Sequence, residues 1–165
     1  MHINFVSVLV AALIPMALGF VWYNSKVFGT AWMAASGMTP EKAKAVNMRV
    51  MFGLSFVLAF MLAFGLQFMV IHQFHVNSLF YMQPIDDATT EAGALYKTIM
   101  DQYGTSFRTF KHGALHGTIG GFFIALPILG TNALFEGKGF KYIAINCGYW
   151  IICLGLMGGV LSAFA

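Results

Sequence analysis

The histidines are the residues of this sequence with the most distinctive chemistry. Two of them are three residues apart and two others are four apart, so each pair shares one face of a helix if its segment is helical. Imidazole is the commonest protein ligand for transition metals, and facing helices of a bundle are a usual place for such sites. The spacing predicts a possible transition-metal or haem site with four candidate ligands: His72, His75, His112 and His116.

The alternative is that these side chains are ordinary hydrogen-bonded histidines at the edge of a membrane, where amphipathic rings are favoured. Their spacing matches no fixed zinc motif, and no Asp or Glu lies in the apolar segments to complete a two-metal site. His2 is a poorer candidate ligand, because chain termini tend to be mobile. Both interpretations stay open at this stage.

Other active-site motifs are missing from the sequence. It has no glycine-rich phosphate loop, nucleophile elbow or HExxH motif, which favours a non-enzymatic protein. Nine Lys/Arg against six Asp/Glu are too few and too scattered for a nucleic-acid-binding face. Cys147 and Cys153 are six residues apart in an apolar run and are expected to be buried, unpaired thiols.

Four charge-free stretches must position these residues. The chain of 165 residues is 59% hydrophobic and only 9% charged. A membrane-spanning helix needs about 20 mainly apolar residues, with its backbone polar groups bonded inside the segment. The sequence therefore predicts one all-α domain, residues 1–165, that forms an integral membrane four-helix bundle. The predicted spans are 3–24, 50–73, 112–135 and 142–165.

The first span is expected to be retained, because no basic region precedes it and no small-residue cleavage site follows it. Orientation follows from the basic residues, which concentrate in cytoplasmic loops. Six of the nine lie after the first and third spans, namely Lys26, Lys42, Lys44, Arg49, Lys138 and Lys141. The distribution predicts these loops in the cytoplasm, with both termini and the loop 74–111 outside.

The loops carry local signals of their own. In the middle loop, apolar residues at helical spacing predict a short amphipathic helix from Ala92 to Tyr103, capped by Asp87. Thr39 followed by proline predicts the beginning of the second long helix. Aromatic rings after the first span, including Trp22 and Trp32, are typical of an interfacial belt.

Glycines recur every four residues in the last two spans. The third span has Gly113, Gly117 and Gly121, and the fourth has Gly155 and Gly159. Such stripes allow close approach of helix backbones in lipid, so the two spans are expected to pack against each other. Proline is tolerated in membrane helices, and the prolines of the first and third spans are expected to kink them.

Several motifs in the same order resemble domain-of-unknown-function family 1761, and the similarity covers nearly the whole chain. The residues that carry the resemblance are Gly19, Trp22, Tyr23, Phe28, Gly29, Trp32, Asn132, Leu134, Phe135, Glu136, Ile145, Asn146, Gly148, Tyr149 and Gly158. The resemblance implies a small bacterial membrane protein of four helices, and hence a place in the bacterial cytoplasmic membrane. It implies no activity, substrate or catalytic residue.

Three classes of function follow from these observations. The first is a non-enzymatic component that assembles with itself or with another membrane protein, favoured by the glycine stripes and the amphipathic helix. The second is a metal- or haem-binding redox protein that uses the histidines. The third is a small-molecule carrier, which would need an oligomer because four helices enclose little volume. In each class the lipid bilayer is the first partner.

Overall fold

The structure is a computed structural model that describes residues 2–165, and this part of the chain is helical and contains no strand. Four helical segments are long and apolar enough to cross a membrane, so the all-α membrane bundle predicted from the sequence is confirmed. The helices are α1 (Phe5–Trp22), α2 (Gly29–Ser36), α3 (Pro40–Ala45), α4 (Met48–Val70), α5 (Gln73–Leu79), α6 (Glu91–Tyr103), α7 (Phe110–Gly120), α8 (Leu126–Phe135) and α9 (Phe140–Ala163).

The fourth span, α9, lies at the centre of the bundle and contacts α1, α4 and α7. Half of its most apolar stretch is buried, against 22–28% in the other three spans. Met157 and Leu161 of α9 are fully buried, as are Val8 of α1 and Ala63 of α4. The outward faces of the other spans expose large apolar side chains, which suits a lipid environment.

The third span consists of α7, a π-helical segment at Gly121–Ala125, and α8. Pro127 explains the change of pitch, because proline has no N–H to donate to the carbonyl four residues before it. The preceding residue, Leu126, instead donates its N–H to the carbonyl of Gly121, five residues back. The third span therefore contains a local widening of the helix before Pro127; the kink expected from the sequence stays a prediction.

The third and fourth spans are in backbone contact. A Cβ atom added to Gly117 would lie 2.0 Å from the carbonyl oxygen of Leu154, and one added to Gly113 would lie 2.1 Å from that of Gly158. A side chain at either position would therefore collide with main chain that cannot move independently. Gly113 and Gly117 of α7 therefore face α9 of the same chain.

Two boundaries differ from the sequence prediction. The second long helix does not begin at Thr39, because Thr39 caps the separate short helix α3 and Val46 is extended before α4 begins. At its other end α4 stops at Val70, three residues short of the predicted limit. Ile71 is extended there (φ −109°, ψ 100°), and α5 follows at once.

The amphipathic helix of the middle loop is present as α6, but its cap differs from the prediction. The side chain of Thr90, and not that of Asp87, accepts the hydrogen bond from the N–H of Gly93. The Asp87 carboxylate instead accepts hydrogen bonds from the N–H and hydroxyl of Thr89. These hydrogen bonds lower the pKa of Asp87. They also hold the turn that precedes α6.

Candidate metal centre

Three of the four predicted ligands converge at one end of the bundle. His72, His112 and His116 each offer a ring nitrogen, and these nitrogens lie within 4.8 Å of one another. The Nε2 atoms of His72 and His112 are only 2.8 Å apart, so one ring donates a hydrogen bond to the other. All three side chains are partly buried. We call this group the histidine cluster.

Two separate elements build the cluster. His112 and His116 lie one turn apart on α7, as their spacing predicted, with their ring centroids 4.6 Å apart. His72 is the residue before α5, just beyond the break at Ile71. A continuous helix would have carried His72 along the axis of α4. The break instead places its ring 4.9 Å from that of His116.

The other two histidines lie outside the cluster. The ring of His75, the fourth candidate ligand, is 6.4 Å from that of His72 by centroid, and its side chain is exposed. His75 belongs to the first turn of α5. His2 is likewise exposed. The structure therefore brings together one histidine from the junction of α4 and α5 and two from α7, and not the two complete pairs.

Phe107 covers the cluster, a role that sequence reasoning missed. Its ring stacks on that of His112 at 4.8 Å and meets that of His72 edge-on at 5.9 Å. The residue has a left-handed backbone (φ 64°), which is uncommon outside glycine. Its carbonyl accepts a hydrogen bond from the hydroxyl of Ser162 in α9, which fixes the loop in this conformation.

Gln73 holds the same loop from the other side. Its buried side-chain amide donates to the carbonyls of Tyr103 and Ser106, each at 2.9 Å. A buried glutamine must be hydrogen-bonded to offset its desolvation, so this pair of bonds ties α5 to the segment that carries Phe107. The available sequence signal was a glutamine directly after His72, at the end of an apolar span.

Burial, followed by the neighbouring imidazoles His116 and His112, lowers the pKa of His72 and so favours its neutral form. Neutral imidazole is the form that binds metal. Among residues 2–165, no carboxylate or thiol joins the three rings.

The separations of the ring nitrogens are close to those of a small-ion site. With metal–nitrogen bonds of about 2.0–2.1 Å, tetrahedral ligands lie roughly 3.3 Å apart. The separations here, from 2.8 Å up to 4.8 Å, bracket that value, so small ring rotations would complete a three-nitrogen site.

The opposite end of the bundle contains a second polar group, which we call the aromatic end. The hydroxyl of Tyr23 and the indole N–H of Trp32 both donate to the Oδ1 atom of Asn146 in α9, at 3.0 and 3.2 Å. The Asn146 amide donates to the Tyr142 carbonyl, and the Trp22 indole donates to that of Ile145. The belt predicted from the sequence is thus partly directed inward, onto α9.

Comparison with known proteins places the chain in a family without assigning an activity. No curated protein and no solved structure matches the sequence. Residues 6–162 match the family described as "Protein of unknown function (DUF1761)", which agrees with the resemblance seen in the motifs. Because the match spans nearly the whole sequence, the chain belongs to the DUF1761 family.

Proposed function

We propose that this multi-pass membrane protein binds one transition-metal ion through His72, His112 and His116. The observation that carries the proposal is the convergence of three imidazole nitrogens within 4.8 Å, from two separate helical elements. Imidazole is a good ligand for zinc, copper, iron and nickel. Bound metal would connect the end of the second span to the beginning of the third.

The hydrogen-bonding pattern leaves ring nitrogens available to a metal ion. The three side chains are partly buried, and none of their ring nitrogens is fully enclosed without a hydrogen-bond partner. The only hydrogen bond that these rings form within residues 2–165 joins His72 to His112, which leaves the ring of His116 without one. Nitrogen atoms that point at one another with few partners are what a metal ligand set requires before the ion binds.

Metal binding can be tested on protein purified in mild detergent. We expect about one zinc or copper ion per chain after the protein is loaded with metal and passed through gel filtration. Elemental mass spectrometry measures this ratio. His112→Ala combined with His116→Ala should remove the bound ion, because one remaining imidazole binds weakly. His75→Ala is the matched control and should keep the metal, because that ring is exposed and outside the cluster. Equal metal content in the double variant and the wild type would contradict the proposal.

Assembly with a second copy or another membrane protein, without enzymatic activity, is a second proposal from the sequence. Its support from the glycine stripes is weaker in the structure, because Gly113 and Gly117 face α9 of the same chain. What still supports it is the exposed apolar segment at the end of α5 and just after it, where Leu79, Tyr81 and Met82 are each at least 80% exposed. Mass measurement in detergent should then show more than one chain per particle, and a monomer at all concentrations would exclude self-assembly.

We also propose that the histidine cluster lies on the outer side of a bacterial cytoplasmic membrane, with both termini outside. The excess of Lys/Arg in the first and third loops supports this orientation. Single cysteines at two exposed alanines, Ala43 in α3 and Ala94 in α6, test it in a background without Cys147 and Cys153. An impermeant thiol reagent added to cells should label the Ala94 position and not the Ala43 position; the reverse result would invert the topology.

A further inference from the structure

We propose that the ion bound by the histidine cluster is Cu(I), and that the thioether of Met100 serves as a fourth ligand. This inference rests on the proposed metal binding and narrows it to one ion and one additional residue. It follows from three features of the structure: the position of Met100, the charges around the cluster, and the chemical softness of the available ligands.

Met100 lies on α6, in the wall of a cavity of about 170 Å³ that also borders the cluster. His72 and Phe107 also line that cavity, and His72 is the member of the cluster that does so. Met100 is partly buried, while the next residue, Asp101, is exposed and pairs with Lys97. The amphipathic helix thus contributes a methionine, and not a carboxylate, to the cavity beside His72.

The surroundings of the cluster favour an ion of low charge. No Asp or Glu within residues 2–165 belongs to the group of ligand atoms that lie within 4.8 Å of one another, so the ligand set itself carries no negative charge. Two cationic residues flank the site along the chain, Arg108 and Lys111, and the Nε atom of Arg108 is buried without a hydrogen-bond partner. Since the Born desolvation energy scales with the square of the charge, a monovalent ion is penalised about fourfold less than a divalent one.

Ligand softness points to the same ion. Thioether sulfur selects Cu(I), while imidazole accepts both copper and zinc, and carboxylate or carbonyl oxygen suits Mg²⁺, Ca²⁺ and Mn²⁺. Three imidazoles and a methionine therefore form a set that a hard cation would not prefer. Methionine is also flexible, so its sulfur can adjust within the cavity without movement of the α6 backbone.

The proposal can be tested by measuring Cu(I) affinity with a chromogenic chelator as competitor, under anaerobic and reducing conditions. Met100→Leu keeps the volume of the side chain and removes the sulfur, so the fold should persist. We expect this variant to bind Cu(I) at least about tenfold more weakly, the lower range of effects measured for residues that support a metal site. Zinc affinity should stay unchanged, because zinc would use the three imidazoles. Met82→Leu is the matched control, since Met82 is 88% exposed on the same side of the protein.

The outcomes separate this inference from the proposed function. If the wild type binds zinc through the histidines but Cu(I) no more tightly than zinc, the copper inference is wrong and metal binding stands. If Cu(I) binds tightly through the histidines and Met100→Leu has the affinity of Met82→Leu, Met100 is not a ligand. If neither ion binds, both proposals are wrong.

Discussion

The two ends of the bundle contain similar numbers of polar and aromatic side chains but satisfy them differently. At the aromatic end, the Asn146 amide accepts from Tyr23 and Trp32 and donates to a carbonyl of its own helix. At the histidine end, three rings converge and share one hydrogen bond. One end is complete within the chain, and the other has nitrogen atoms still able to bind.

This difference suggests that one end of the bundle contributes mainly to stability and the other mainly to binding. A satisfied buried network stabilises one arrangement of helices, and removal of one member leaves its partners without hydrogen bonds. Imidazoles with few hydrogen-bond partners contribute little to folding. The aromatic end should therefore determine how stably the bundle folds, and the histidine end should determine what it binds.

The largest effect should come from separating the two helices that support both ends. α7 carries His112 and His116, and α9 carries Asn146. Gly117→Leu would force a side chain into the backbone of Leu154, 2.0 Å from the new Cβ. We expect a loss of more than about 3 kcal/mol, seen as loss of the monodisperse peak in detergent gel filtration.

Gly65→Leu is the matched control for that experiment, because a Cβ on Gly65 of α4 meets no atom within 4 Å. It should keep the wild-type yield. If Gly117→Leu were tolerated as well as Gly65→Leu, the close approach of α7 and α9 would not be a determinant of the fold.

The next largest effect on stability should come from one of two substitutions made separately, one at each end of the bundle. Asn146→Ala leaves the hydroxyl of Tyr23 and the indole of Trp32 without their acceptor, which should lower stability by about 1–3 kcal/mol. His116→Ala should leave the melting temperature of the metal-free protein nearly unchanged and abolish its rise on addition of metal. Thermal unfolding of both variants, with and without metal, measures this contrast. A loss of stability without metal in His116→Ala equal to that in Asn146→Ala would remove the distinction between the two ends.

The smallest effect on stability should come from removing a single hydrogen bond at the aromatic end. Tyr23→Phe removes one donor and leaves Trp32 on Asn146, so the expected loss is about 0.5–1.5 kcal/mol. Thermal unfolding should show this small decrease with no change in metal content. A decrease in bound metal would mean that the two ends are coupled, contrary to this account.

The sequence predicted what periodicity and composition encode. Four apolar stretches gave the four spans, and a spacing of four residues placed His112 and His116 on one face of α7. The sequence did not predict whether His72 or His75 would join them, because the chain leaves the helix at Ile71, which is extended. This break in a continuous apolar run has no glycine or proline to signal it.

Contacts between distant segments were also outside the reach of sequence patterns. Trp32 and Asn146 are 114 residues apart, so their hydrogen bond could not be deduced from local spacing. The same holds for the edge-on contact between the rings of Phe107 and His72. It depends on the left-handed backbone of Phe107 and on the hydrogen bond that the Phe107 carbonyl accepts from Ser162. The sequence suggested only an interfacial role for Trp32 and no role for Phe107, whereas the tertiary structure gives each a specific partner.

X-ray absorption at the zinc edge can show directly whether the three histidines bind a metal ion, with zinc as a probe that does not depend on the identity of the natural ion. We expect about three nitrogen scatterers at roughly 2.0–2.1 Å, with the outer-shell pattern of imidazole. Replacement of His72, His112 and His116 together by alanine should abolish that pattern. A spectrum of oxygen ligands alone, or one unchanged in the triple variant, would show that the histidine cluster is not a metal site.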